Sequence, residues 1–149
     1  MTQVIRLDPE RPRLDAIEQA ASIILEGGLV AFPTETVYGL GADAMNEGAV
    51  QRIFEAKGRP ADNPLIVHIS DRAMLNLVAT DLSARAEQLI ERFWPGPLTL
   101  VLPALSSLPS ALVHQGYVGV RQSAHPVAAG LVRAFGAPLT ATRSWTFPR

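Results

Sequence analysis

The chain has 149 residues, 48% hydrophobic and 18% charged, a balance that fits one ordinary folded domain and excludes a disordered segment. A formal net charge of -1 with a pI of about 6.3 gives no overall attraction for nucleic acid, although a local basic site is compatible with it. The absence of cysteine excludes disulfides, zinc–thiolate centres and thiol catalysis, and the three histidines show no metal-ligand spacing.

Residues 14–26 read as an amphipathic helix, with Leu14, Ile17, Ala21, Ile24 and Leu25 at three- and four-residue spacing, stopped by Gly27-Gly28. Residues 29–32 form a short apolar run before Pro33, expected as a buried strand. Residues 34–43 read as a loop rich in hydroxyls and glycine. A second helix is expected over 49–56 with Val50, Ile53 and Phe54 inward, ended by Gly58 and Pro60. A strand follows over 65–69, then helices over 72–78 and 84–93, the latter with Ser83 as its N-cap. Trp94-Pro95-Gly96-Pro97 reads as a sharp turn. Strands over 98–102 and 117–121, a helix over 126–135 with proline in its first turn, and a strand opening at 138–142 complete the pattern. Alternating strands and helices argue for an α/β layered fold. No basic segment precedes an apolar signal core, and no apolar run is long enough to span a bilayer, so the expected location is the cytoplasm.

Ligands in such folds gather at loops leaving the carboxyl ends of strands. Four places carry concentrated polar groups. Pro33-Thr34-Glu35-Thr36 offers two threonines, to bind a ligand or to satisfy turn backbone. Lys57 is the only lysine among thirteen basic residues, and Arg59 stands two residues on, so a compact ammonium meets a planar guanidinium, a pairing that suits a polyphosphate. His68 follows in an apolar strand, where a structural role is the usual one. Thr99 opens another strand, as ligand contact or strand filler. Arg121 ends a strand, where an arginine can clamp a carboxylate through two parallel hydrogen bonds or simply face solvent. A phosphate-binding Gly-Lys-Ser/Thr loop and a Gly-x-Ser-x-Gly nucleophile elbow are absent. The residues by themselves point to an α/β protein that binds an anionic ligand.

In combination, the segments resemble the YrdC (TsaC) family of threonylcarbamoyl-AMP synthases. The resemblance is carried by residues 28–41, by Lys57-Gly58-Arg59 through Asn63-Pro64-Leu65-Ile66-Val67-His68, by Trp94-Pro95-Gly96-Pro97-Leu98-Thr99, and by Val120-Arg121 through His125-Pro126. It covers about residues 14–142 and implies a YrdC-like domain over 8–149, with a twisted, open, mixed sheet flanked by helices and incomplete at its C-terminal end. It implies that L-threonine, bicarbonate and ATP, with Mg²⁺, give threonylcarbamoyl-AMP and pyrophosphate. A tRNA threonylcarbamoyl transferase complex would use the product downstream. Direct RNA contact finds little support in the net charge. By motif position, Lys57 and Arg59 hold the ATP phosphates and are the catalytic pair, with Asn63 beside them. Thr36 and His68 contact threonine, and Arg121 clamps its carboxylate. Thr99 lines the nucleotide site and Thr140 touches ATP at the far rim, while Thr34 and Tyr38 shape the loop.

The resemblance fails after Thr142. The family continues with Ser-x-Asn, whereas Arg143 and Trp145 occupy those positions here, in a divergent run over 143–149. That implies a truncated or frame-shifted product, or a shortened natural variant, with impaired activity and an uncovered apolar edge that favours low solubility or oligomerisation. The alternatives are a catalytically inert YrdC-like module that holds nucleotide or RNA, and the related domain of hydrogenase-maturation carbamoyltransferases.

Overall fold

The computed structural model describes residues 2–58 and 65–142. Helix α1 (Leu14–Leu25) buries Ala16, Ile17, Ala21 and Ile24, whereas Leu14 and Leu25, expected in the same stripe, lie at the two ends of the helix and are exposed. The chain leaves it through Gly27 at φ 85°, with the Gly27 and Gly28 amides closing on the carbonyls of Ile24 and Ile23 at 2.9 Å each. Strand β1 (Val30–Phe32) follows.

Residues 34–43 are not all loop. Gly39–Asp43 form strand β2, paired antiparallel with β1. The glycines that suggested a loop are there for close approach. A Cβ on Gly41 would stand 2.5 Å from Phe32 Cε1, so the Phe32 ring occupies the space above this strand.

Helix α2 (Glu47–Lys57) starts at Asn46, whose side chain accepts the Ala49 amide at 3.1 Å, and stops at Gly58 in the left-handed conformation. Strand β3 (Ile66–His68) comes next. The helix expected over 72–78 is instead a short 3-10 turn, Ala73–Leu77. Asp71 accepts the Met74 amide at 2.8 Å and Met74 and Leu75 turn inward, which leaves too little length for an α-helix. Helix α3 (Ala84–Phe93) carries the expected Ser83 cap, Oγ accepting the Ala86 amide at 3.1 Å. Strands β4 (Leu100–Pro103) and β5 (Tyr117–Arg121), helix α4 (Pro126–Phe135) and strand β6 (Leu139–Thr142) complete the order.

The six strands form one open mixed sheet in the order β1-β2-β6-β3-β5-β4, with only the β3–β5 pair parallel. Register places Ala42, Thr140, Val67, Val120 and Leu100 in one row across five strands. The first four are at most barely accessible, so this face is sealed by packing. Side chains alternate across a strand, so the neighbouring positions Leu139, His68 and Arg121 point to the opposite face. There α1 and α4 pack together near Phe32, and a small crevice opens at Ile66, His68, Arg121 and Ala141. No described helix is long and apolar enough to cross a membrane.

Candidate functional site

The open face owes its character to three loops that meet above β3 and β5. The first is the β1–β2 connection. Thr34 donates its hydroxyl to the Val37 carbonyl at 2.6 Å and accepts the amides of Thr36 and Val37, each at 3.3 Å. That hydroxyl replaces backbone partners within a tight turn. Thr36 is thereby left outward, its hydroxyl accepting from Arg121 Nη1 at 3.4 Å.

The second loop, ahead of β4, is held by the Trp94 indole, which donates to the Leu98 carbonyl at 2.8 Å, and by the Gly96 amide, which donates to the Gln122 carbonyl at 2.8 Å. Thr99 is set against Arg121 as a result, and Nε donates to its hydroxyl at 3.0 Å. Arg121 is 8% exposed. One guanidinium therefore touches two threonine hydroxyls on separate loops, and its planar fork fixes their relative position.

His68 is the register partner of Arg121 on β3 and meets the Phe32 ring edge-on at 5.8 Å. Burial pushes its pKa down to about 4, with the Arg121 charge acting in the same direction and Glu35 opposing, so the ring is neutral. Its Nδ1 is buried and has no hydrogen-bond partner among the described residues. Leaving a buried polar atom unsatisfied costs about 1–3 kcal/mol, so this nitrogen is available to a hydrogen-bond donor.

Glu35 belongs to the third junction. Its carboxylate accepts the Ser123 hydroxyl and, at 2.9 Å, the Ala124 amide. Partial burial alone would raise its pKa. The Ser123 hydroxyl, the Ala124 amide, its own amide and the Arg121 charge outweigh that and hold it below the usual carboxylate range. The sequence reading gave no role to Glu35 or Ser123. Their only signal was an acid between two threonines and a serine two residues past an arginine.

Lys57 is the last residue of α2, and Nζ donates to the Thr142 hydroxyl at 3.3 Å. Thr142 borders the same crevice as Thr34, Thr36, His68 and Arg121, so the lysine stands at its margin. Thr140 lies two residues before Thr142 on the same strand. It is fully buried on the sealed face and its hydroxyl donates to the Ile66 carbonyl at 3.1 Å, so its side chain does not reach the open face. Ala141 next to it and Thr142 at the strand end line the crevice. Arg59 and Asn63 lie outside the described residues, as does the divergent run over 143–149.

A sequence profile of the Sua5/YciO/YrdC family, described as telomere recombination, matches residues 22–145. The chain belongs to the Sua5/YciO/YrdC family. It is 54% identical over 126 residues to the threonylcarbamoyl-AMP synthase of Pyrococcus abyssi, a match covering 84% of this chain and 37% of that protein. It is 50% identical over 127 residues to the threonylcarbamoyl-AMP synthase of Bacillus subtilis, again 84% of this chain and 37% of that protein. The crystal structure of P. abyssi Sua5 complexed with L-threonine superposes with a TM-score of 0.86 at 52% identity, covering 89% of this chain and 39% of the other. The chain thus spans just over a third of the length of these relatives. Family membership extends the match from motifs to the six-stranded sheet on which they sit.

Proposed function

We propose that this chain forms threonylcarbamoyl-AMP and pyrophosphate from L-threonine, bicarbonate and ATP, through a domain spanning residues 8–149. The observation that carries the reading is the buried Arg121, which holds Thr36 and Thr99 from two loops, with the buried imidazole of His68 as its register partner. That group of residues suits an amino acid: a guanidinium for the carboxylate, and hydroxyl and imidazole for the polar side chain and amine. The likeness to a Sua5 protein described in complex with L-threonine supports the same substrate.

Chemically, the deprotonated threonine amine attacks the bicarbonate carbon and water leaves, giving a carbamate; a carbamate oxygen then bonds to the α-phosphorus as the bond to the departing pyrophosphate breaks. Negative charge accumulates on the transferring phosphate and the leaving group, so the work is positioning and charge neutralisation. Arg121 orients the carboxylate, and Thr36 and His68 hold the amine end. Neutral His68 can accept a hydrogen bond there, which its protonated form could not. Lys57 and Arg59 neutralise the phosphates with Asn63 beside them, and Thr99 borders the nucleotide. Thr140 contributes by filling the sheet core beneath. Mg²⁺ enters with ATP as part of the nucleotide substrate. Among the described residues, no three His, Cys, Asp or Glu side chains stand together to hold a metal ion. The product would pass in the cytoplasm to a transferase complex that loads the threonylcarbamoyl group onto tRNA.

The test is pyrophosphate release from ATP. Release should require both threonine and bicarbonate. Release indifferent to threonine contradicts the synthase reading, and no release despite binding of both ATP and threonine points to an inert binding module.

A further inference from the structure

We infer that Glu35 is a positioning residue for the amino-acid subsite, tying the β1–β2 loop to the segment between β5 and α4 so that Thr36 faces Arg121. The inference rests on the functional reading above.

The loop has two kinds of hydrogen bond. Those of Thr34 reach only two or three residues along the chain. They shape the turn but cannot place it relative to β5. The bonds from Ser123 and Ala124 to Glu35 bridge 88 and 89 residues and, together with the longer 3.4 Å bond from Arg121 to Thr36 itself, they do place it. Their far end is well anchored. Ser123 is 4% exposed and its hydroxyl also accepts the His125 amide at 3.2 Å. His125 in turn accepts the Val127 amide through Nδ1 at 3.1 Å, capping α4. On the other side, the Gln122 side chain donates to the Ser70 carbonyl at 3.2 Å. Residues 122–125 are therefore fixed to the scaffold from two directions, and Glu35 is moored to them.

The chemistry also selects glutamate. Two donors converge on the side chain, a hydroxyl and a backbone amide, and a carboxylate meets both with acceptor oxygens. A glutamine would turn an NH₂ group towards one of the two. Alanine would release the loop while leaving its internal Thr34 turn intact.

The experiment measures L-threonine and ATP affinities separately by calorimetry, together with melting temperature, for wild type, Glu35→Ala, Glu35→Gln, Ser123→Ala and the Glu35→Ala/Ser123→Ala double variant. Glu35→Ala should weaken threonine binding about tenfold, and Glu35→Gln less, because one acceptor survives. ATP affinity should stay within about twofold, since the nucleotide contacts are elsewhere. The double variant should resemble Glu35→Ala, because the second change removes a bond already lost. Unchanged threonine affinity in Glu35→Ala overturns the inference alone. Threonine and ATP affinities falling together with melting temperature overturn it too, as the signature of a merely structural residue. A wild-type chain that binds no threonine overturns the functional reading and this inference with it.

Discussion

Arg121 and His68 occupy matched positions on the only parallel strand pair among the described residues, and each constrains the other. The arginine charge helps keep the imidazole neutral, second to burial itself. Two outcomes follow at this scale. Arg121→Lys keeps the charge but replaces a fork that reaches Thr36 and Thr99 together with a single ammonium. On the proposed reading, threonine affinity should fall about tenfold by calorimetry, and an unchanged affinity would contradict the clamp. The second outcome concerns pH. His68 has a native pKa of about 4 against an ordinary 6.5, so below 6.5 the unfolded chain takes up a proton that the native ring refuses. Stability is therefore complete above pH 6.5 and declines as pH falls towards 4, by about 3 kcal/mol in all. Melting curves of wild type and His68→Asn across that window should converge on acidification, and a constant difference would count against a buried neutral ring. Glu35 acts lower. Its depressed native pKa contributes stability above the ordinary carboxylate value, lost as pH falls through the native one.

At the scale of elements, β2 shows how a strand can be built around what it lacks. Gly41 sits in a six-strand row between Val30 and Ala141, and the Phe32 ring takes the volume its side chain would fill. Gly41→Ala should cost about 1–3 kcal/mol through overpacking, read from denaturant unfolding. Phe32→Leu in the same chain should recover part of it, and an unaltered midpoint for Gly41→Ala would refute the close approach. The same strand marks the limit of sequence reading. Helices α1, α2, α3 and α4 were legible because apolar residues repeat at helical spacing and Gly27-Gly28, Gly58, Ser83 and Pro126 mark their ends. Strand β2 was not, because Gly39, Gly41 and small neighbours show no alternation of apolar size. The short turn at Ala73–Leu77 has the composition of a helix and lacks only the length. Asn46 itself went unremarked, since an N-cap is decided by where the first turn begins.

At the scale of the molecule, the sheet divides labour between its faces. One carries the sealed row of Ala42, Thr140, Val67 and Val120, and the other carries His68, Arg121 and the loops above them. That division was only partly legible. Thr36, Thr99, His68 and Arg121 come together as their motifs suggested, with Lys57 at the margin. Thr140 shares its motif with Ala141 and Thr142, which line the crevice, while its own side chain is fully buried and its hydroxyl donates to the Ile66 carbonyl. Glu35 and Ser123 were hidden for the opposite reason: their partnership crosses 88 residues and leaves no local pattern. The central claim is that these loops form an amino-acid subsite beside a nucleotide. The most direct measurement is pyrophosphate release by the purified chain with ATP, bicarbonate and threonine, each omitted in turn. Release is expected only when all three are present, and release that continues without threonine would contradict an amino-acid subsite.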